Sequence, residues 1–116
     1  MRLKDTQTIF GALSDPTRFR ILNLLSEGEL CVCDMMSVLK EPQSKISRHL
    51  AYLRRARLVE SRKEGLWMYY CLTRERLSTF KAIFEALNCC RSDFSELQRD
   101  LTEFRKNKKG LVACCK

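Results

Sequence analysis

Gln43-Ser44-Lys45-Ile46-Ser47-Arg48-His49-Leu50 is the stretch whose reading decides the fold. Ile46 and Leu50, followed by Leu53, recur at helical spacing and form one apolar stripe. Gln43, Ser44, Lys45, Ser47 and Arg48 cannot all share that stripe and must largely face outward. The helix therefore presents a small, polar, cationic outer face, and it runs to about Ala56. Lys40-Glu41-Pro42 separates it from a shorter helix around residues 34 to 39. Proline disfavours helix in the residue before it and fits the start of the next one.

Upstream, Ile9, Phe10 and Leu13 form a stripe within residues 5 to 13. Ser14-Asp15-Pro16 then supplies a cap and a first-turn proline. The second helix carries Phe19, Ile21, Leu22, Leu24 and Leu25 on a wide apolar face, and Gly28 marks its end. Downstream, residues 58 to 62 and 67 to 72 are rich in aromatic and branched side chains. The link Lys63-Glu64-Gly65-Leu66 holds the glycine a hairpin needs. Thr73 suits the cap of a fifth helix with Leu77, Phe80, Ile83, Phe84 and Leu87 on a face broad enough to want a partner. Asp93 with Glu96 resembles a capping box for a further helix to about Phe104, and residues 105 to 110 read as the start of a basic tail. The expected fold class is mainly α with a small β-hairpin: a winged helix-turn-helix, dimeric, with residues 1 to 116 forming one domain.

The chain has 116 residues, so its core is limited and a second subunit would add buried area. Lysine and arginine number 22 against 14 acidic residues, a net charge of +8, which favours polyanionic partners. The first twenty residues hold no apolar stretch of signal-peptide length, and no run is long enough to span a bilayer. A cytoplasmic protein with no membrane partner is expected. Seven cysteines in a reducing compartment point to metal ligands, redox sensors or small core residues before structural disulfides.

The order helix, break, helix, hairpin places residues 43 to 48 where a reading helix enters the major groove of double-stranded DNA. Arginine pairs bidentately with guanine, glutamine with adenine, and serine contacts base or phosphate. Gln43, Ser44, Lys45, Ser47 and Arg48 are the candidate readers. Arg54, Arg55, Arg57, Arg62 and Lys63 extend positive charge toward the hairpin, where phosphate contacts set register. His49, the only histidine, is either a phosphate contact or a packing residue. At strand spacing beside a glycine turn, Trp67, Tyr69 and Tyr70 serve hairpin packing before base stacking.

Cys31-Val32-Cys33-Asp34 lies just ahead of this unit. In a helix, residues two apart point to nearly opposite sides, whereas in an extended segment they share a face. One ion takes both thiolates only where the start of the third helix is unwound or already extended. Binding is therefore expected to unwind that start and disturb the reading helix. The alternative is two small buried thiols. Cys89 and Cys90 sit at the end of the fifth helix as either a second ligand pair or an incidental one, since adjacent side chains diverge by about 100 degrees. Cys71, in a hydrophobic strand, reads as an inert core thiol, and Cys114 and Cys115 as reactive tail thiols.

Glu29-Leu30-Cys31-Val32-Cys33-Asp34, Ser44-Lys45-Ile46-Ser47-Arg48-His49-Leu50 and Gly65-Leu66-Trp67 closely resemble the arsenic-responsive repressors of the ArsR/SmtB family, over about residues 5 to 90. The resemblance implies a homodimeric repressor that leaves operator DNA when arsenite or antimonite, As(III) or Sb(III), binds cysteine thiolates. Soft trivalent arsenic suits such ligands. Members with Cys-Val-Cys-Asp commonly place a third cysteine one turn on, where this chain has Met35-Met36-Ser37. Asn88-Cys89-Cys90 matches the run used by a second branch, without that branch's nearby third cysteine unless Cys114 or Cys115 supplies it. Cadmium or lead sensing and thiol-based redox sensing are the rival readings. Without an acid/base pair, a phosphate-cradling loop or a Cys-x-x-Cys motif, no enzyme is expected.

Overall fold

The computed structural model describes the backbone of residues 2–75 and 77–114 and the side chains of residues 2–75 and 77–106. The chain opens with α1 (Leu3–Leu13) and α2 (Pro16–Leu25). Asp15 caps α2 by accepting a hydrogen bond from the Arg18 N–H at 3.0 Å, and Pro16 takes the first helical position, where no N–H is needed. After β1 (Leu30–Cys31) come α3 (Val32–Leu39) and α4 (Gln43–Arg55), joined by a turn in which Lys40 adopts a left-handed conformation, φ 56°. The strands β2 (Val59–Glu64) and β3 (Trp67–Leu72) form a hairpin about Gly65 and Leu66, with φ 61° at Gly65, where a side chain would strain the turn. Two helices complete the chain, α5 (Ser78–Asp93) and α6 (Ser95–Cys114). Helix, turn, helix and hairpin in this order make a winged helix-turn-helix. No helix among the described residues is long and apolar enough to cross a membrane.

The apolar stripe expected for α4 is the centre of the core. Ile46, Leu50 and Leu53 are fully buried and join Ile21, Leu22, Leu24, Met35, Leu58 and Phe80 in one cluster. That burial sets the helix rotation and leaves its polar face outside.

Four local expectations need correction. The hairpin is part of a three-stranded antiparallel sheet, ordered β1-β3-β2, because Leu30 pairs with Tyr70 and Cys31 with Tyr69. A two-residue strand carries no periodic signal and exists only through its partner. Thr73 does not cap α5. Its hydroxyl bonds Glu60 at 3.2 Å, α5 begins at Ser78, and Leu77 lies outside the core at 44% exposure. Asp93 ends α5 instead of capping the next helix, which starts at Ser95. Finally, α6 continues to Cys114, past the point at which the sequence suggests a tail.

Helix α6 packs against both α2 and α3. Leu97, Leu101 and Phe104 bury an apolar stripe, and Asp100, only 4% exposed, lies among them. Its carboxylate accepts two hydrogen bonds from Arg20, at 2.7 and 2.9 Å. Asn23 Nδ2 donates to the Leu97 carbonyl at 3.0 Å, and Asn23 Oδ1 accepts from Arg91 Nε at 2.6 Å. Removing one partner of a buried ion pair strands the other, but Arg20 retains about a third of its side-chain exposure and regains some water. Asp100→Ala should therefore lower the free energy of unfolding by about 2 kcal/mol, read from urea denaturation. A loss below about 0.5 kcal/mol would show that α6 docks by its apolar stripe alone.

Candidate functional site

On α4, Gln43, Ser44, Ser47 and Arg48 are exposed, in keeping with the burial of Ile46 and Leu50 on the opposite stripe. Lys45 is half-buried, and its Nζ lies 3.1 Å from Glu41 Oε1. Arg54 and Arg55 are exposed at the far end of the helix, Lys63 is exposed on the wing, and Arg57 pairs with Glu75 at 2.5 Å. Arg48, Arg54, Arg55 and Lys63 thus leave exposed positive charge on α4 and the wing, suited to a phosphate-lined groove.

Two of the residues proposed for this face have other work. His49 turns inward and is only 8% exposed. Its Nδ1 lies 3.4 Å from an Arg18 guanidinium nitrogen and 3.9 Å from Asp15 Oδ2. Arg18 also donates to the carbonyls of Ala12 and Gly11 and stacks 4.1 Å from the Tyr52 ring. His49 thus belongs to the seam between α1, α2 and α4. Burial pushes its pKa below the ordinary value; Asp15 opposes the shift, while Arg18, Arg48 and Lys45 add to it.

Arg62 is held by Glu29 through two hydrogen bonds, at 2.6 and 2.8 Å, and by Glu64 at 2.7 Å. Its guanidinium lies 4.8 Å from the Tyr69 ring centre. The bond from Arg62 holds the Glu29 carboxyl below its usual range, and Glu29 and Glu64 hold Arg62 protonated. Arg62 is therefore the tie between the wing and the segment leading into β1. Sequence reasoning missed Arg18 and Glu29, because their partners lie about thirty residues away and no local pattern marks them.

Cys31 is the extended cap residue of α3, with φ −93° and ψ 168°, and Cys33 lies in the helix's first turn. The Asp34 carboxylate accepts from the Cys31 N–H at 3.1 Å and closes that turn; burial raises the Asp34 pKa, and this bond opposes the rise. The thiols consequently straddle a strand–helix boundary, and both line one cavity of about 340 Å³. Its other walls include Gln43 and Ser47 of α4 and Trp67 and Tyr70 of β3. Of the two conditions under which one ion takes both sulfurs, an unwound start of α3 or an already extended one, the backbone at Cys31 meets the second. Cys31 is buried and disulfide-bonded.

Cys33, Cys71, Cys89 and Cys90 are not joined in disulfides. Cys71 is half-buried in β3, and burial raises its pKa, which suppresses thiolate formation. Cys89 is exposed, and Cys90 lines a different cavity, between α1 and α5, with Phe10, Leu13, Phe19 and Leu87. Among the described residues, no group of three or more His, Cys, Asp or Glu side chains is placed to hold a metal ion. The side chains of Cys114 and Cys115, considered above as a source of a third thiolate, lie outside the described residues.

Residues 15–61 match the model of the bacterial regulatory protein family arsR. The chain is 43% identical to the arsenical resistance operon repressor of Escherichia coli K12 over 104 residues, covering 88% of this chain and 87% of that protein. Among solved structures it is similar to HlyU from Vibrio cholerae, with a TM-score of 0.67, 34% identity and coverage of 78% of this chain and 97% of that one. It is also similar to the homodimeric winged helix-turn-helix DNA-binding domain Mb0332 from Mycobacterium bovis, with a TM-score of 0.67, 25% identity and coverage of 80% and 83%.

The buried imidazole makes stability depend on pH in a definite direction. With its folded pKa depressed, His49 takes a proton more readily in the unfolded chain, so stability should fall as pH drops below about 6.5. Urea unfolding at pH 7.5 and 5.5 should show this loss, and His49→Gln should reduce it. An equal loss in the variant would place the acid sensitivity elsewhere.

Proposed function

Since the chain belongs to the ArsR family of bacterial transcription regulators, we propose that it is a repressor that binds operator DNA through α4 and releases it when As(III) or Sb(III) is captured by Cys31 and Cys33. The observation that carries this reading is the shared cavity: Cys31 and Cys33 form one wall, and the reading helix and the wing form others, so that capture of the ion requires Cys31 in its reduced form. Trivalent arsenic is soft and thiophilic, and thiolates are the ligands it selects. A ligand at that wall acts on the relative positions of α3, α4 and β3 without passing through a third element. It releases DNA only if it binds the released form better, and a shift from nearly all bound to nearly all free needs about 5.5 kcal/mol of differential affinity.

The protein acts as a homodimer in this reading. Phe10 is 61% exposed beside Leu13, Phe19, Ile83 and Leu87, an apolar face shared by α1, α2 and α5 that a second copy would bury. Two-fold symmetry then asks for an imperfect palindrome with half-site centres about 10 base pairs apart, or a multiple of that. In the groove, Arg48 and Gln43 contact base edges, Ser44, Lys45 and Ser47 contact bases or phosphates, and Lys63 contacts phosphate. Arg62 contributes by holding the wing to Glu29.

A second reading is favoured by one observation, the disulfide at Cys31. In it, thiol oxidation, rather than arsenic, releases DNA. Parallel titrations of the operator complex with arsenite, antimonite, cadmium and peroxide separate the two, since release by peroxide alone supports the redox reading.

Arg48→Ala should weaken operator binding and relax base preference by about 1 to 3 kcal/mol, whereas Lys63→Ala should weaken all sequences alike. Unchanged specificity in Arg48→Ala would remove α4 as the reader. Cys31→Ser and Cys33→Ser should each keep operator affinity and lose most of the arsenite response, while Cys71→Ser should change neither. Normal release by arsenite in the Cys31→Ser, Cys33→Ser double variant, lost only when Cys89 or Cys90 is also replaced, would move the sensor to the end of α5.

A further inference from the structure

Gly11 lies within α1, where alanine would be the better helix former. The neighbouring helix supplies the reason for the glycine. A β-carbon at this position would sit 3.0 Å from the Tyr52 hydroxyl oxygen of α4, closer than ordinary van der Waals contact. Helices α1 and α4 therefore approach here because residue 11 carries no side chain.

Arg18 of α2 closes the same junction. Helix α1 has no basic residue in its last turn, and its final carbonyls need donors from outside the helix. Arg18 Nε donates to the Ala12 carbonyl at 3.0 Å, and Nη2 donates to the Gly11 carbonyl at 3.2 Å. The same guanidinium stacks 4.1 Å from the centre of the Tyr52 ring, and Nη1 lies 3.4 Å from His49 Nδ1. One planar group thus ties the end of α1 to two residues of α4. Lysine, a point charge on a flexible stem, cannot bind two carbonyls and cover a ring at once.

Resting on the reading that α4 enters the groove and that a second copy covers the apolar face of α1, we infer that Arg18, Tyr52 and Gly11 are positioning residues that set the separation of the two reading helices in the dimer. Phe10, beside Gly11 in the chain, is 61% exposed and belongs to the face that a second copy buries. Helix α1 is then fixed to the two-fold axis on one side and to α4 on the other. Base choice stays with Gln43 and Arg48 on the exposed face of α4, away from this junction. The two-fold axis doubles any shift of α4 against α1. One base pair changes the half-site separation by about 3.4 Å and about 35 degrees, so such a shift appears as a changed spacing preference.

The test uses the full chain. A pool of duplexes with randomised palindromes selects the parent's site, which is then shortened or lengthened by one base pair between its half-sites. The parent should bind its own spacing at least about tenfold more tightly than either altered duplex. In Arg18→Lys and in Gly11→Ala that ratio should fall to about threefold or less, or its optimum should move to another spacing. Preference among bases within a half-site should stay parental, and sedimentation should find both variants dimeric. Gly11→Ala, the more conservative change, carries the test where Arg18→Lys does not fold. Tyr52→Phe keeps the ring against Arg18 and removes the atom nearest Gly11, so the Gly11→Ala, Tyr52→Phe double variant should regain the parental ratio. Lost packing alone would weaken binding to every spacing equally and would show no such rescue.

A parental ratio in folded Arg18→Lys or in Gly11→Ala would overturn the inference and leave the proposed function standing. A Gly11→Ala defect that Tyr52→Phe does not relieve, a variant that becomes monomeric, or a parent indifferent to spacing would do the same. A parent chain that selects no palindrome, or that sediments as a monomer, would overturn the proposed function itself.

Discussion

The antiparallel pairing of Leu30 with Tyr70 and Cys31 with Tyr69 is the constraint on which the functional geometry depends. It holds Cys31 in extended backbone at the point where α3 begins, so its sulfur and that of Cys33 reach one space. Were residue 31 helical, the i, i+2 relationship would send the two thiols to nearly opposite sides. The pairing is only two residues long, and a contact so short needs support. That support comes from the Glu29 to Arg62 bonds on one side and the Asp34 cap on the other. Arg62 thus reinforces the sheet edge beside Cys31 and Cys33 from a wing strand in which Arg62 and Lys63 are matched by Glu60 and Glu64.

A second consequence concerns where the positive charge is available. The net charge of +8 is a property of the whole chain, yet several cations are committed within the molecule. Arg20 is bound to Asp100, Arg91 to Asn23, Arg57 to Glu75, and Arg105 to Glu27. The exposed pairs add little stability individually, but they take those side chains out of the set facing a polyanion. Arg48, Arg54, Arg55 and Lys63 are exposed on α4 and the wing, which concentrates the field where a groove would lie. The partly buried Arg20–Asp100 pair works differently, fixing α6 on α2 with directional bonds where an apolar stripe alone would permit sliding.

The legibility of these features from sequence follows their range along the chain. The rotation of α4 was readable because Ile46, Leu50 and Leu53 repeat at the helical period, and burial of that stripe leaves Arg48 and Ser47 outside. Asp15 and Pro16 announced α2 through a cap that acts across three residues. Thr73 misled because its hydroxyl accepts from the Glu75 N–H and donates to Glu60 across the hairpin, closing a turn there while α5 begins only at Ser78. His49 was ambiguous for a related reason: periodicity places it near the edge of the apolar stripe, and only Arg18 and Asp15 settle that it faces inward.

Sequence alone determined the helix order, the hairpin, the polar reading face and the presence of two closely spaced thiols, since each depends on neighbours within a few residues. The tertiary structure decided that those thiols share a cavity with Gln43, Ser47 and Trp67, that Arg62 is a tie and that His49 is buried. The physical reason is that strand pairing, ion pairs and cavity walls join residues tens of positions apart, and periodicity contains no information about which distant partner a side chain meets.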